Sequence, residues 1–324
     1  MSIRFAAALV IPVLAASFAP AAGAATCADW KPNAVNELSC NLNLIGPPQP
    51  AQPQPNPNPT PTPTGPIDAA GCGAPVLKSD GTAWKCTFSD NFDSASLDRS
   101  KWVPQTNFVN GSNTVYACYI DDPAVVSVSG GNLNLSVREM PQPVAGCPSN
   151  RAGSRYAAGQ VSTFALFSQK YGRFEARIKV PQASAVGLQE AFWLWPDVRY
   201  HSTALYPLSG EIDIVETYSQ HPNLAIPFLH YSADLLGSQP GINTAWTCQA
   251  NRGEWNTYTL LWTSNRLEIL VNGQSCLVNN SNDSAFDKRY IIALTQALGT
   301  GANAYGGVGM LPATTLVDYV RVWQ

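Results

Sequence analysis

Short apolar runs that alternate with polar residues dominate this chain, and a period of two excludes most folds. Val125-Val126-Ser127-Val128, Leu133 to Val137, Phe174 to Val180, Tyr258 to Trp262, Leu267 to Val271 and Leu316 to Val322 all follow it. Successive side chains on a strand point to opposite faces, so such a run buries one face of a sheet and wets the other. Turn residues separate the runs. Ser129-Gly130-Gly131-Asn132 is one set, and Asn272-Gly273, directly after Val271, is a strong hairpin signal. No long stretch shows helical periodicity with caps. Many short strands at regular spacing predict an all-β fold, a two-sheet antiparallel sandwich.

Only part of the 324 residues can belong to that sandwich. Residues 1–24 run from Arg4 through the apolar stretch Phe5 to Phe18 and end in Ala22-Gly23-Ala24, the order of a secretory signal peptide. The stretch falls short of the ~20 apolar residues that span a bilayer, and Pro12 interrupts it. Residues 25–46 hold two cysteines and are too few to bury a core unaided. Residues 47–66 read PPQPAQPQPNPNPTPTPTGP, a proline-rich linker that favours extended, semi-rigid backbone. Residues 67–324 show no second compositional break and are expected to fold as one domain.

Eight cysteines fit an exported chain, since an oxidising compartment lets thiols pair. Near neighbours suggest the pairs Cys27–Cys40, Cys72–Cys86, Cys118–Cys147 and Cys248–Cys276, and the C-x-x-C spacing of a metal site is absent. A formal charge of −3 with 13% charged residues and no basic run offers no grip on nucleic acid or acidic lipid. Nine Trp and twelve Tyr on a weakly charged chain suit a neutral ligand with flat apolar faces, as sugars have. The expected protein is secreted, extracellular or cell-wall associated, monomeric, and without a nucleic-acid or membrane partner.

The stretch with most chemistry is Gly210-Glu211-Ile212-Asp213-Ile214-Val215-Glu216. Ile212 and Ile214 face one way in a strand, so Glu211 and Asp213 share the other face. Strict alternation would send Glu216 into the core, where an unpaired carboxylate is costly. A β-bulge between Asp213 and Glu216 restores it to the carboxylate side. Three acids on one face suit retaining glycoside hydrolysis. One attacks the anomeric carbon; a second protonates the leaving oxygen and then activates water. The third shares a proton with the nucleophile and holds the other pKa values apart. A solvent-facing acidic strand or a calcium site would read the same over these seven residues.

This Glu-x-Asp-x-x-Glu strand resembles the signature of glycoside hydrolase family 16, in the form carried by its laminarinase-like (endo-β-1,3-glucanase) branch. The five-residue variant of the lichenases and plant transglycosylases lacks the bulge. The likeness covers nearly all of residues 87–324. Phe88 to Asp93 and Leu97 to Trp102 are similar to the family's opening strand and the stretch after it. Tyr171 to Lys179 resembles the segment before the cleft, Ala191-Phe192-Trp193-Leu194 the strand that floors it, and Val317 to Trp323 the closing strand.

The resemblance implies a curved, concanavalin-like β-jelly-roll with an open cleft on its concave face. It implies Glu211 as nucleophile, Asp213 as assisting acid and Glu216 as acid/base. Trp193 and Tyr206 match positions where sugar rings stack, and His230 a position facing the cleft; a hydrogen-bonded sheet histidine fits position 230 equally. Trp195 shares the face of Trp193 by parity, with core packing as its other reading. No cofactor is implied for catalysis. A structural calcium on the convex face, held by two main-chain carbonyls and one acid, is implied at Asn91, Gly131 and Asp318; an Asp318 that merely ends a hairpin or pairs with Arg321 is the alternative. Gln189-Glu190 stand where laminarinase-like chains usually read Trp-Pro, and Tyr206 where they usually have Trp. The expected activity is therefore retaining endo-hydrolysis of β-1,3-glucan or mixed β-1,3-1,4-glucan by double displacement. The alternatives are a related β-galactan hydrolase, a transglycosylase, or a non-catalytic lectin-like module, which would keep the aromatics and shed the acids.

Overall fold

The computed structural model describes residues 71–106, 108–232 and 237–324. The expected signal peptide, Cys-containing segment, proline-rich linker and Cys27–Cys40 pair lie outside the described residues. Among the described residues no helix is long and apolar enough to cross a membrane.

Among the described residues seventeen strands form two sheets. The larger runs β15 (Gln274–Asn279), β14 (Leu267–Val271), β13 (Asn256–Trp262), β9 (Gly172–Lys179), β17 (Ala313–Trp323), β6 (Asn132–Glu139), β7 (Tyr156–Ala158), β4 (Tyr116–Tyr119), β3 (Val109–Gly111). In it β1 (Cys86–Asp90) also pairs with β17, and β5 (Val126–Ser129) with β6. The six-stranded sheet runs β12 (Ile226–His230), β11 (Glu211–Tyr218), β10 (Leu188–Pro196), β16 (Tyr290–Leu298), β8 (Gln160–Ser162), β2 (Val103–Pro104). Pairing is antiparallel except between β4 and β7.

Alternation decides what each sheet buries. Phe174, Ala176 and Ile178 of β9, and Tyr258, Leu260 and Trp262 of β13, enter one core cluster. Phe192 and Leu194 of β10, Ile212 and Ile214 of β11, and Ile292 and Leu294 of β16 meet them there. In β17 the phase slips: Val317, Val320 and Val322 are all buried because a register shift lies between Val317 and Tyr319. The expected hairpin is present. Asn272 and Gly273 both take positive φ, 50° and 78°, the conformation that a two-residue turn between β14 and β15 requires.

Three of the four expected disulfides lie in this region and form as paired: Cys72–Cys86, Cys118–Cys147 and Cys248–Cys276. They close separations of 14, 29 and 28 residues. Each removes loop freedom from the unfolded chain, an effect of ~3 kcal/mol in the chain-entropy account.

Candidate active site

β11 carries the expected bulge. Against β12, Glu211 faces His230 and Asp213 faces Phe228, but Glu216 faces Ile226, so β11 spends one residue more. Against β10, Asp213 faces Trp193 and Val215 faces Phe192, the same slip from the other side. The cause is local and apolar: Ile212, Ile214 and Val215 all join the core, and two consecutive inward side chains need an extra residue in the strand. Glu211, Asp213 and Glu216 are thereby delivered to one face, away from the core. Trp193, Ala191 and Gln189 of β10 share that face, since they pair with Asp213, Glu216 and Tyr218.

Each acid has its own partners. Tyr206 Oη donates to Glu211 Oε2 at 2.8 Å. His230 Nε2 lies 3.3 Å from Asp213 Oδ2, with its ring stacked on Phe228 at 4.4 Å. Gln189 Nε2 donates to Glu216 Oε1 at 2.7 Å. Trp193 Nε1 donates to Thr295 Oγ1 at 2.9 Å, which holds the indole of β10 against β16. Trp193, Trp195, Tyr206 and His230 form a chain of ring contacts with centroids 5.6–6.1 Å apart. Trp195 is buried in it and stacks on Tyr206. Tyr206 is thus first a hydrogen-bond partner of Glu211. Sequence reasoning placed the residue but missed that bond, and it missed Gln189 as a partner of Glu216. Parity with Trp193 on β10 was the available signal for Gln189.

The electrostatics are those of crowded, buried acids. Burial first, then the Asp213 charge, pushes Glu211 from its ordinary 4.5 up to about 8; His230 and the Tyr206 hydroxyl oppose this. Burial, then Glu216, raises Asp213 well above the usual carboxylate range. Burial raises Glu216 as well, opposed by hydrogen bonds from Tyr218 and Gln189 and by His230. Burial and the Glu211 charge raise Tyr206, so it remains a donor. Burial and mutual repulsion both work against three bare carboxylates on this face. Glu211, Asp213 and His230 each bring a polar atom within 4.8 Å of the others. Tyr206 engages Glu211, and His230 lies against Asp213.

The strand order also gathers the expected calcium positions. Asp318 sits at the β17 register slip, between the stretch that pairs with β6 just past Gly131 and the stretch that pairs with β1 just before Asn91. The side chains there are otherwise engaged. Asp318 Oδ2 pairs with Arg177 at 2.8 Å, and Arg321 donates to Asn91 Oδ1 at 2.8 Å. The partner of Asp318 is Arg177 of β9, rather than the Arg321 that proximity in sequence offered. A calcium ion held by the main-chain carbonyls of Asn91 and Gly131 and the Asp318 carboxylate would share that carboxylate with the Arg177 guanidinium.

A family model described as glycosyl hydrolases family 16 matches residues 112–302. The chain is 28% identical over 265 residues to a beta-glucanase of Rhodothermus marinus, covering 74% of this chain and 85% of that protein. It is 25% identical over 275 residues to glucan endo-1,3-beta-glucosidase A1 of Niallia circulans, covering 77% of this chain and 39% of that much longer relative. The X-ray structure of the laminarinase from Rhodothermus marinus matches with a TM-score of 0.61 at 26% identity, covering 74% of this chain and 97% of the other.

Proposed function

Because this chain belongs to glycosyl hydrolases family 16, we propose that it is a secreted, retaining endo-glycosidase acting on neutral β-linked glucan. The observation that carries this reading is the bulged strand β11, which puts three acids on the face where Trp193 stands. A binding module would have no use for three mutually repelling carboxylates beside an aromatic platform. Secretion rests on the leader-like order of residues 1–24, and a monomer suits an acid row that a single strand supplies.

In the proposed reaction Glu211 is the nucleophile. Its Oε2 is engaged by Tyr206, which leaves Oε1 to attack the anomeric carbon. The glycosidic bond breaks as Glu216 gives its proton to the departing oxygen, and a covalent glycosyl-enzyme forms. Glu216, now a carboxylate, takes a proton from water, and the hydroxide so generated releases Glu211. Two displacements return the original anomeric configuration; such pairs sit about 5 to 5.5 Å apart. Asp213, beside His230, accepts the proton that Glu211 holds at rest, so that Glu211 attacks as the carboxylate.

Substrate follows from the surroundings. Among the described residues no Lys or Arg is a partner of Glu211, Asp213 or Glu216, so a sulfate or uronate set against these acids would meet no counter-charge from their partners. Trp193 offers an apolar face to a pyranose ring. The ranking is β-1,3-glucan, then mixed β-1,3-1,4-glucan, then β-galactan. Reducing-sugar release from laminarin, barley glucan, galactan, agarose and carrageenan at equal mass tests it. Hydrolysis of laminarin first is expected, with product analysis separating water from sugar as the acceptor. Activity confined to a sulfated polymer would sink the reading.

A further inference from the structure

The two ends of the acid row are built differently. Rings surround Glu211, whereas Glu216 takes an amide from β10 beside the Tyr218 hydroxyl of its own strand. Ala191 pairs with Glu216 across the strands and is too short to reach it. Gln189, two residues away on the same face of β10, reaches over and donates Nε2 to Glu216 Oε1 at 2.7 Å. Resting on the reaction proposed above, we propose that Gln189 is a positioning residue for the acid/base: its amide on Glu216 Oε1 favours the form that carries the leaving-group proton on Oε2.

The physical basis is a choice between two oxygens. A carboxyl hydroxyl oxygen accepts hydrogen bonds less well than its carbonyl partner, so a fixed N–H donor on Oε1 selects the form with the proton on Oε2. After that proton has gone, the same N–H meets a full carboxylate, and the bond strengthens. Gln189 therefore contributes more once the acid has acted, which eases proton release. The other groups acting on Glu216 are Glu211, Asp213 and Tyr218 of its own strand, His230 of β12 and Tyr206 of the preceding loop. Among the interactions that favour the carboxylate, Gln189 alone comes from β10.

A second contact on the opposite face holds this one in register. Glu190 and Thr217, next in chain to Gln189 and Glu216, pair across the same strands. Thr217 Oγ1 donates to Glu190 Oε2 at 2.6 Å, and Arg252 grips both Glu190 oxygens at 2.7 Å. Gln296 Nε2 adds a bond to Glu190 Oε1 at 3.0 Å. Glu190 and Arg252 are 2% and 4% exposed, so separating the pair would strand a buried charge. β10 and β11 cannot slide past each other here, and the reach from Gln189 to Glu216 is preserved.

Gln189→Leu and Gln189→Met remove the donor while keeping similar volume. In both, the basic limb of the kcat/KM profile should move up by about one pH unit, because the ionised acid has lost a partner. The carboxyl carbon of Glu216, followed by carbon-13 NMR in a Glu211→Gln background, should titrate higher by the same amount, with circular dichroism unchanged. An unmoved titration in folded variants would overturn the assignment, and so would loss of the fold in both, since Gln189 would then be structural. The NMR titration needs no turnover. A chain that cut none of the polysaccharides would refute the proposed reaction, yet the coupling between Gln189 and Glu216 would still be measured.

Discussion

Glu211→Gln should make this protein more stable at alkaline pH while removing its turnover. Glu211 is 7% exposed, and burial with the Asp213 charge raises it from 4.5 to about 8. A carboxyl whose pKa is higher in the folded state binds its proton more tightly there. Between 4.5 and about 8 the native chain therefore holds more protons than the unfolded one. Stability must fall as pH rises through that window and level off above it. At ~1.4 kcal/mol for each tenfold, the ceiling on this loss is ~5 kcal/mol. Glutamine stands in for the neutral acid, but its amide brings two donors where the acid has one. Finding partners for them consumes part of the ceiling, leaving a net gain of ~2–3 kcal/mol. Urea unfolding of both proteins at about pH 5 and about pH 8.5 is the assay. The parent should lead by ~1–2 kcal/mol at the lower pH, where the amide cost dominates, and the variant should lead by ~2–3 kcal/mol at the higher. A variant equal to or weaker than the parent at the higher pH would refute the reasoning, since Glu211 would then be comfortable as an anion.

Two further outcomes follow from the proposed mechanism. Glu216→Gln should lower kcat by ~10³ or more, and added azide should partly restore turnover by replacing the activated water. The azide product should have the β configuration; an α-glycosyl azide, or undiminished activity, would remove the double displacement. Trp193→Ala should raise KM about tenfold with a smaller fall in kcat, because stacking on the indole binds ground and transition states alike. A fall in kcat with KM unchanged would instead put Trp193 in the chemistry.

The amino-acid order determined what depends on neighbours along the chain. Alternation named the strands over 267–271 and 316–322, and Asn272-Gly273 named the hairpin. The bulge in β11 was legible because its cause, core-seeking Ile212, Ile214 and Val215 between acids, lies within a few residues. β16 was not legible: all nine of its residues are buried, so it has no wet face and no alternation to read. Tertiary structure decided the partners. Tyr206 on Glu211 spans five residues through a loop whose path no periodicity describes. Gln189 and Glu216 are 27 residues apart, Glu190 and Arg252 62, and Arg177 and Asp318 141. Such pairs exist only once strand order is set, and strand order is chosen by the burial of whole sheets rather than by any segment. The acids were therefore written in the sequence, while what surrounds each acid, and hence its proton affinity, was decided by the fold.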